Sequence, residues 1–336
     1  MDDRILIGGF ALLALILAYS CSCIWNAIFY LGLIRLLMFY SSLAHFINKF
    51  FIRGRLDLIK RYGKSSYALI TGSSNGIGLE YALQLAETGF NLILVDKDSA
   101  SLEKTKSKIL EKFPNAKIEI IPCNLCEMTK PENYEQFLNS IDHLDISILI
   151  NNAEMIDFHE FHETKPENIS KVIHINAVAV LGFCKLFYTR LLKREKQSAI
   201  VNMSSGVGLT SNKLLSVYPS TKAFVKYLTE GLKEESKGKM DLLYVYPGIV
   251  TTNSSAFKVS PGSTTPDVIV ENVLNSLGQD GYTAGYWLHD VILSLIEALF
   301  YGNREAYRYV EDMIIEKTGI EKDLRKHAQE FDKKNK

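Results

Sequence analysis

The sequence predicts an α/β fold in which a parallel sheet is covered by helices on both faces. From about residue 64 onward, short apolar strands alternate with longer amphipathic helices, an order that favours parallel strands joined by helices. Most strand positions are apolar without alternation, which is typical of strands buried on both faces. The strands are expected at residues 67–70, 91–95, 117–121, 146–150, 199–203 and 241–246, and the helices at residues 77–88, 102–112, 166–192 and 218–235.

The chain divides into three predicted segments. Residues 64–285 form a single α/β domain, because the sequence contains neither an internal repeat nor a second array of strands and helices. Residues 1–50 form an N-terminal membrane anchor, and residues 286–336 form a C-terminal helical extension.

The anchor is predicted from an apolar run near the N-terminus. Residues 5–34 contain no charged side chain, whereas a helix needs only about 20 apolar residues to cross a bilayer. A cleavable signal peptide has a shorter apolar core that follows positive residues. One long helix and a hairpin turning near Gly32 both fit this run, and the alternative interpretation is a buried hairpin of a soluble core. The basic residues that follow predict a cytosolic flank; they are Lys49, Arg53, Arg55, Lys60 and Arg61.

A glycine-rich turn, Thr-Gly-Ser-Ser-Asn-Gly-Ile-Gly from Thr71 to Gly78, joins the first strand to the first helix. In a dinucleotide-binding fold the pyrophosphate meets a helix N-terminus at this position. The first glycine permits the tight turn, the second lets the backbone approach the phosphates, and the third lets the helix pack close to the sheet. The alternative is a tight turn without a ligand. The predicted cofactor contacts are Gly72, Ser74, Asn75, Gly76, Ile77 and Gly78.

Asp96 ends the second strand, about twenty residues after the turn. A carboxylate at this point accepts both hydroxyl groups of the adenine ribose and repels a 2′-phosphate, so the local chemistry favours NAD(H) over NADP(H). Lys97 would contact such a phosphate if the loop bends inward. The alternative role for Asp96 is to cap the loop at residues 98–101.

Tyr218 and Lys222 are the candidate proton-transfer residues. They are four positions apart, so on a helix they share one face. Pro219 is tolerated in the first turn of a helix, which places the pair at a helix start. A neighbouring ammonium group stabilises a phenolate and lowers the pKa of a tyrosine from about 10, which would make Tyr218 usable as a general acid or base.

Other polar residues follow the ends of the predicted strands, in an order that resembles the short-chain dehydrogenase/reductase family over residues 64–260. They are Asn124, Asn152, Ser205, Pro247 and Thr251, with Asn176 in a helix before the strand that leads to Ser205. The resemblance implies a doubly wound, Rossmann-type parallel sheet with an NAD(P)(H) cofactor across its C-terminal edge. It also implies dimerisation through the helices that flank the active site.

The resemblance implies a role for each of these residues. Tyr218 protonates the substrate carbonyl oxygen, or deprotonates the alcohol in reverse, while Ser205 holds that oxygen. Lys222 binds the nicotinamide ribose and lowers the pKa of Tyr218, and Asn176 holds a water molecule that relays protons through Lys222. The other implied cofactor contacts are Asn124, Asn152, Pro247 and Thr251.

Two residues depart from the family pattern. Glu154 occupies the position of the glycine in Asn-Asn-Ala-Gly, where a carboxylate either repels the cofactor phosphates or points outward. Asn124 replaces the aspartate that contacts adenine, and its amide oxygen still accepts a hydrogen bond.

A narrower resemblance links the chain to the microsomal 17β-hydroxysteroid dehydrogenase group, which includes the very-long-chain 3-oxoacyl-CoA reductases. It rests on the anchor, Asn202–Gly206, Gly285–Asp290, the apolar run at residues 291–301 and the lysine tail. It implies NADP(H) and a lipophilic substrate, a long-chain 3-oxoacyl-CoA or a 17-ketosteroid. The alternative for residues 291–301 is an ordinary core helix.

The C-terminal tail bears on location. Lys333 and Lys334 stand fourth and third from the end, which resembles the cytosolic di-lysine signal of endoplasmic-reticulum membrane proteins. Together with the anchor, this signal predicts an endoplasmic-reticulum protein whose catalytic domain faces the cytosol.

The composition weighs against several other kinds of site. The 38 basic residues balance the 38 acidic ones, so no nucleic-acid partner is indicated. The five cysteines are scattered and odd in number, which argues against a disulfide framework. No metal site is expected at Cys123 and Cys126, or at His159 and His162, because the ligand spacings do not match. The alternative to an enzyme is a non-catalytic, membrane-bound nucleotide- or lipid-binding protein of the same fold.

Overall fold

The computed structural model describes residues 3–210, 215–252 and 262–300, together with separate positions between 303 and 329. The chain forms two units, Met1–Gly54 and Arg55–Lys336. Lys333 and Lys334 of the predicted di-lysine signal lie outside the described residues.

The N-terminal unit is one continuous helix, α1 (Asp3–Ile47), followed by a π-helical turn over Asn48–Ile52. Gly32 lies inside this helix, so the hairpin alternative is wrong. At about 1.5 Å per residue the helix is about 68 Å long, more than the roughly 30 Å of a bilayer core. Ile24–Ile52 is long and apolar enough to span a membrane, and its apolar side chains are largely exposed. This unit is therefore a candidate anchor.

The second unit alternates strands and helices, as the sequence predicts. Its strands are β1 (Tyr67–Thr71), β2 (Asn91–Asp96), β3 (Ile118–Pro122), β4 (Ile146–Asn151), β5 (Ala199–Met203), β6 (Asp241–Val245) and β7 (Tyr282–Thr283). Its helices are α2 (Leu58–Tyr62), α3 (Gly76–Thr88), α4 (Ser99–Lys112), α5 (Pro131–Ile141), α6 (Pro166–Ile173), α7 (Ala179–Leu192), α8 (Val217–Ser236), α9 (Pro266–Ser276) and α10 (Trp287–Phe300).

The seven strands form one parallel sheet in the order β3-β2-β1-β4-β5-β6-β7. This order confirms the doubly wound fold, with β7 as an additional edge strand that the sequence did not predict. The strand order reverses between β1 and β4, and a crevice forms at the carboxyl ends of the strands at such a point. The crevice is the expected position of a ligand.

Two helical layers cover the sheet. Successive residues of a strand point to opposite faces. Ile70 accordingly belongs to a core cluster with side chains of α2, α3, α4 and α9, whereas Leu69 belongs to a cluster with side chains of α5, α7 and α8. Both side chains are fully buried. The core therefore lies on both sides of the strands, which explains why their sequences are apolar without alternation.

Pro166–Leu192 is also long and apolar enough to cross a membrane, but its buried face belongs to the core. Phe183 and Phe187 of α7 pack against the sheet and are at most 1% exposed. A π-helical turn over His174–Val178 interrupts the segment between α6 and α7. We therefore assign it to the α/β unit and not to the anchor.

Candidate active site

The glycine-rich turn between β1 and α3 is shaped by the backbone. Gly72 and Gly76 adopt positive φ angles of 64° and 54°, which side chains other than glycine rarely tolerate. A Cβ atom on Gly78 would lie 2.1 Å from the carbonyl oxygen of Gly72. Gly72 therefore permits the tight turn and Gly78 the close packing of α3, whereas the approach of phosphates to Gly76 stays a prediction.

The segment after β4 is hydrogen-bonded to the glycine-rich turn. The side-chain amide of Asn152 donates to the carbonyl oxygens of Thr71 and Gly72, at 3.0 and 3.1 Å. In return, the Thr71 hydroxyl accepts the backbone N–H groups of Asn152 and Ala153. Asn152 thus holds the shape of the turn.

Asp96 stands beside the turn and does not cap the loop that follows it. Its carboxylate accepts the backbone N–H of Ser74 at 3.2 Å and that of Lys97 at 2.7 Å. Asp98 caps α4 instead, by accepting the N–H groups of its first turn. Asp96 therefore places a carboxylate next to the glycine-rich turn, and its role in the choice of cofactor stays a prediction.

Asn124 lies in the loop after β3, and its side chain is hydrogen-bonded to neighbouring residues of that loop. Its side chain accepts the backbone N–H of Cys126 at 3.2 Å and donates to the carboxylate of Glu127 at 2.8 Å. These two bonds cap the short 3-10 helix over Leu125–Glu127. Contact between Asn124 and adenine stays a prediction.

Two hydroxyl groups in the site are buried and have no hydrogen-bond partner among the described residues. They are Oγ of Ser74, in the glycine-rich turn, and Oγ1 of Thr251, after β6. Buried polar groups are normally paired. Thr252 reaches the turn, since a Cβ atom on Gly76 would lie 3.2 Å from its methyl group. Hydroxyl donors at these two positions fit the phosphates and the nicotinamide of a dinucleotide.

The proton-transfer pair lies at the start of α8. Tyr218 is 5% exposed and Lys222 is 1% exposed, and the Lys222 ammonium lies 5.3 Å from the centre of the Tyr218 ring. The ammonium also donates to the carbonyl oxygen of Met203 at 3.1 Å. Both groups therefore meet in a buried site at the carboxyl end of β5.

Ser205 joins this pair from the loop after β5, where it hydrogen-bonds to Tyr218. The adjacent Ser204 donates to the carbonyl oxygen of Lys222 at 2.8 Å, which ties the loop to α8. The backbone N–H of Gly206 donates to the carbonyl oxygen of Pro247 at 2.8 Å, which places Pro247 next to the same loop. The structure thus brings together Ser205, Tyr218 and Lys222.

Asn176 lies in the π-helical turn between α6 and α7, and such turns are frequent at functional sites. Its side chain is bonded to protein groups: it accepts the N–H of Met155 and donates to the carbonyl oxygen of Met155, both at 2.8 Å. It also lies 3.3 Å from the Thr221 hydroxyl. Asn176 fixes the backbone beside Glu154, and its water-holding role stays a prediction.

Glu154 points into the site, so the expectation that it points outward is wrong, whereas repulsion of the cofactor phosphates stays a prediction. One carboxylate oxygen, Oε2, accepts the Tyr218 hydroxyl at 2.9 Å and lies 2.8 Å from the Lys222 ammonium. Sequence reasoning missed this contact because residue 154 reaches α8 only through the tertiary fold. The departure from the family glycine was the signal.

The pKa of Tyr218 is consequently raised well above 10, which corrects the expected lowering. Burial is the main cause, and the charge and hydrogen bond of Glu154 add to it, whereas the hydrogen bond from Ser205 lowers the pKa. The Lys222 ammonium lies against the same Glu154 carboxylate, at 2.8 Å. At neutral pH the Tyr218 hydroxyl is therefore protonated.

His289 of α10, also missed from the sequence, holds the segment after β6 at both ends. Its Nδ1 accepts the backbone N–H of Gly248 at 3.1 Å, and its Nε2 lies 2.9 Å from the carbonyl oxygen of Gly262. Only a neutral ring protonated at Nε2 can make both bonds. Burial lowers the pKa of His289, which agrees with the neutral form.

Comparisons with known proteins agree with this geometry. The model of the short chain dehydrogenase family matches residues 66–261. The chain is 30% identical to the very-long-chain 3-oxoacyl-CoA reductase of Bos taurus, over 74% of this chain and 83% of that protein. It is also 30% identical to the Homo sapiens protein of the same name, over 70% of this chain and 76% of that protein.

A solved structure shares the fold and part of the sequence. The short-chain dehydrogenase from Sphingobium yanoikuyae, in complex with NADPH, is 28% identical to this chain, with a TM-score of 0.57. The match covers 63% of this chain and 84% of that one.

We predict that Gly78→Ala weakens binding of the nicotinamide cofactor. The new methyl group would press on the Gly72 carbonyl, and overpacking costs about 1–3 kcal/mol, which corresponds to roughly 5- to 150-fold if it falls on cofactor binding. Titration of the solubilised full chain with NADH and NADPH measures the effect. Gly231→Ala, in α8 with no neighbour within 4 Å, is the matched control and should leave binding unchanged. Equal Kd values for both variants would contradict the steric role of Gly78.

We predict that His289 makes the protein less stable in acid. Its folded pKa is lowered, so its contribution is complete above the unfolded pKa of about 6.5 and is lost as the pH falls below that value. His289→Asn should lower the free energy of unfolding by about 1–3 kcal/mol at pH 7.5 and should flatten the dependence of Tm on pH. The control is His162→Asn, whose side chain is 75% exposed. Parallel Tm curves for wild type and His289→Asn would refute the prediction.

Proposed function

Because this chain belongs to the short-chain dehydrogenase family, we propose that it reduces the carbonyl group of a very-long-chain 3-oxoacyl-CoA at a membrane. The chain is a nicotinamide-dependent oxidoreductase. The observation that carries the proposal is the buried group of Ser205, Tyr218 and Lys222 beside the glycine-rich turn. The substrate class is supported by the relatives, which are named very-long-chain 3-oxoacyl-CoA reductases.

The proton chemistry follows from three side chains. Ser205 holds the substrate carbonyl oxygen by donating a hydrogen bond, and Tyr218 gives that oxygen a proton. Lys222 supplies positive charge beside the phenolate that is left. When bound, the nicotinamide group supplies the hydride for reduction, or accepts it in the reverse direction.

The cofactor is held along the crevice between β1 and β4. The backbone of residues 72–78 faces the pyrophosphate at the start of α3, and the free hydroxyls of Ser74 and Thr251 donate to the dinucleotide. Asp96 accepts the adenine-ribose hydroxyls, which favours NAD(H). The family resemblance and the NADPH bound to the Sphingobium enzyme favour the phosphorylated cofactor.

A lipid substrate suits the apolar surfaces of this chain. The N-terminal helix is long enough to span a bilayer, and α10 exposes Ile292, Leu295 and Leu299. With the lysine tail, these features support an endoplasmic-reticulum membrane protein whose catalytic unit faces the cytosol. A homodimer would cover the apolar groove between α6 and α8, where Ile173 and Phe224 are exposed. A 17-ketosteroid is the second candidate substrate.

A non-catalytic binding protein is the second candidate function, and Glu154 is the observation that favours it. Its carboxylate accepts a hydrogen bond from Tyr218 and pairs with Lys222. Catalysis depends on these two groups. The presence of Ser205, Tyr218 and Lys222 together weighs against a non-catalytic function. Turnover separates the two functions.

We predict that the solubilised protein oxidises NADH or NADPH with a long-chain 3-oxoacyl-CoA, and that Tyr218→Phe lowers kcat by about 10²–10⁴-fold. Loss of a general acid typically costs this much, whereas the phenyl ring still fills the buried site. Tyr227→Phe, on the same helix but 69% exposed, is the matched control. Cofactor absorbance at 340 nm follows turnover. Unchanged kcat in Tyr218→Phe would refute the mechanism, and absence of turnover with both the acyl-CoA and a 17-ketosteroid would favour the non-catalytic function.

We predict that Asp96→Asn raises the ratio of kcat/KM for NADPH to that for NADH by about tenfold or more. Ser74 and Lys97 donate to different oxygens of Asp96, so the amide keeps one of these two acceptors but removes the charge that repels a 2′-phosphate. A tenfold change corresponds to about 1.4 kcal/mol. Asp98→Asn is the control, since it changes a nearby charge at the cap of α4. An unchanged ratio would exclude Asp96 as the residue that selects the cofactor.

A further inference from the structure

Glu154 connects the buried proton-transfer pair to solvent. Its Oε2 atom contacts both the Tyr218 hydroxyl and the Lys222 ammonium, at 2.9 and 2.8 Å. The Glu154 side chain is 41% exposed, whereas that of Lys222 is 1% exposed. One carboxylate therefore touches water and the reacting hydroxyl.

The reaction needs such a connection. Tyr218 is buried, so after it gives up a proton it leaves a phenolate that must be reprotonated from outside. Asn176 is bonded to Met155 and Thr221, and the Lys222 ammonium already donates to Met203 and Glu154. Among the described residues, Glu154 is the partly exposed acid that contacts the Tyr218 hydroxyl.

We propose that Glu154 is the proton-relay residue of this site and exchanges protons between the Tyr218 hydroxyl and solvent. The inference rests on the proposed reductase function. In reduction, a hydride adds to the carbonyl carbon, the π electron pair moves to the oxygen, and this oxygen takes the Tyr218 proton. The Glu154 carboxylate then takes a proton from water and passes it to the phenolate, which restores both groups. One solvent proton is consumed for each hydride transferred.

Oxidation of an alcohol, the reverse reaction, also needs a proton connection between Tyr218 and solvent. The raised pKa of Tyr218 keeps its hydroxyl protonated at neutral pH, so it accepts the proton of an alcohol only if it passes its own to a base. The Glu154 carboxylate already accepts that hydrogen bond. It therefore completes the relay in both directions.

The charged and titratable groups around the relay come from several elements. Tyr218 and Lys222 face Glu154 from α8, and the Ser205 hydroxyl faces Tyr218 from the loop after β5. Asp157 and His159, which pair with each other, line a small cavity with Tyr218. The dependence of kcat on pH must therefore be compared between wild type and variants, because the wild-type profile alone does not identify which group titrates.

The test measures kcat of the full-length solubilised protein with a long-chain 3-oxoacyl-CoA. Glu154→Gln keeps the size of the side chain but cannot carry a proton in this way, so kcat should fall by about 10²-fold. Glu154→Gly opens a space next to Tyr218, and added formate should restore its kcat in proportion to concentration. Glu167→Gln, an exposed position in α6, is the control and should match wild type with or without formate.

Two further readouts separate a relay from a structural role. The kcat–pH profile of Glu154→Gln should differ in shape from that of wild type, and its solvent deuterium isotope effect should increase because proton delivery becomes slower. Its Tm should match that of wild type, and its Kd for NADH and NADPH, measured by titration, should stay within about twofold of wild type.

Three results would overturn the relay. They are a kcat for Glu154→Gln within twofold of wild type, no rescue of Glu154→Gly by formate, and a Glu154→Gly protein that is faster than wild type without formate. In each case Tyr218-dependent turnover of wild type would leave the reductase function standing. Absence of turnover in wild type would overturn the reductase function, and the relay with it.

Discussion

The parallel pairing of β1 with β4 is the constraint on which the rest of the site depends. Residues 67–70 pair with residues 146–150, so the segments after these two strands emerge side by side at one edge of the sheet. Asn152 and Thr71 exchange hydrogen bonds across that edge, and Gly72 lies against Ala153. The glycine-rich turn owes its shape to this neighbour as well as to its own glycines.

The same segment carries Glu154 towards α8, and this links the nucleotide turn to the proton-transfer pair. Asn176 fixes the backbone of the next residue with two hydrogen bonds, so the carboxylate is directed by a rigid neighbour. A glycine at position 154 would leave Lys222 without this partner. Burial raises the pKa of Tyr218, and the Glu154 carboxylate, which accepts the Tyr218 hydroxyl, raises it further. Burial also strengthens the interaction between these groups.

Residues at the start of α10 are hydrogen-bonded to residues that follow β6. The stretch Gly285–Asp290, which stands out in the sequence, supplies three of these bonds. His289 bonds to the backbone of Gly248 and Gly262, and Asp290 accepts the Tyr246 hydroxyl at 2.6 Å. The start of α10 thus anchors the segment after β6, while its outer face stays apolar and exposed.

The sequence by itself determined β1–β6, the helices α3, α4, α7 and α8 and the glycine-rich turn, because periodicity, glycine and the Tyr218–Lys222 spacing act over a few residues. It also predicted the parallel sheet, since strands buried on both faces are apolar throughout. It did not determine β7, α2, α5, α9 or the π-helical turn between α6 and α7. Only the tertiary structure decided that Glu154 meets Tyr218, 64 residues away, and that His289 holds the segment after β6. Whether a carboxylate repels a phosphate, faces water or pairs with a lysine depends on which atoms the fold brings within about 3 Å, and no local pattern encodes that distance.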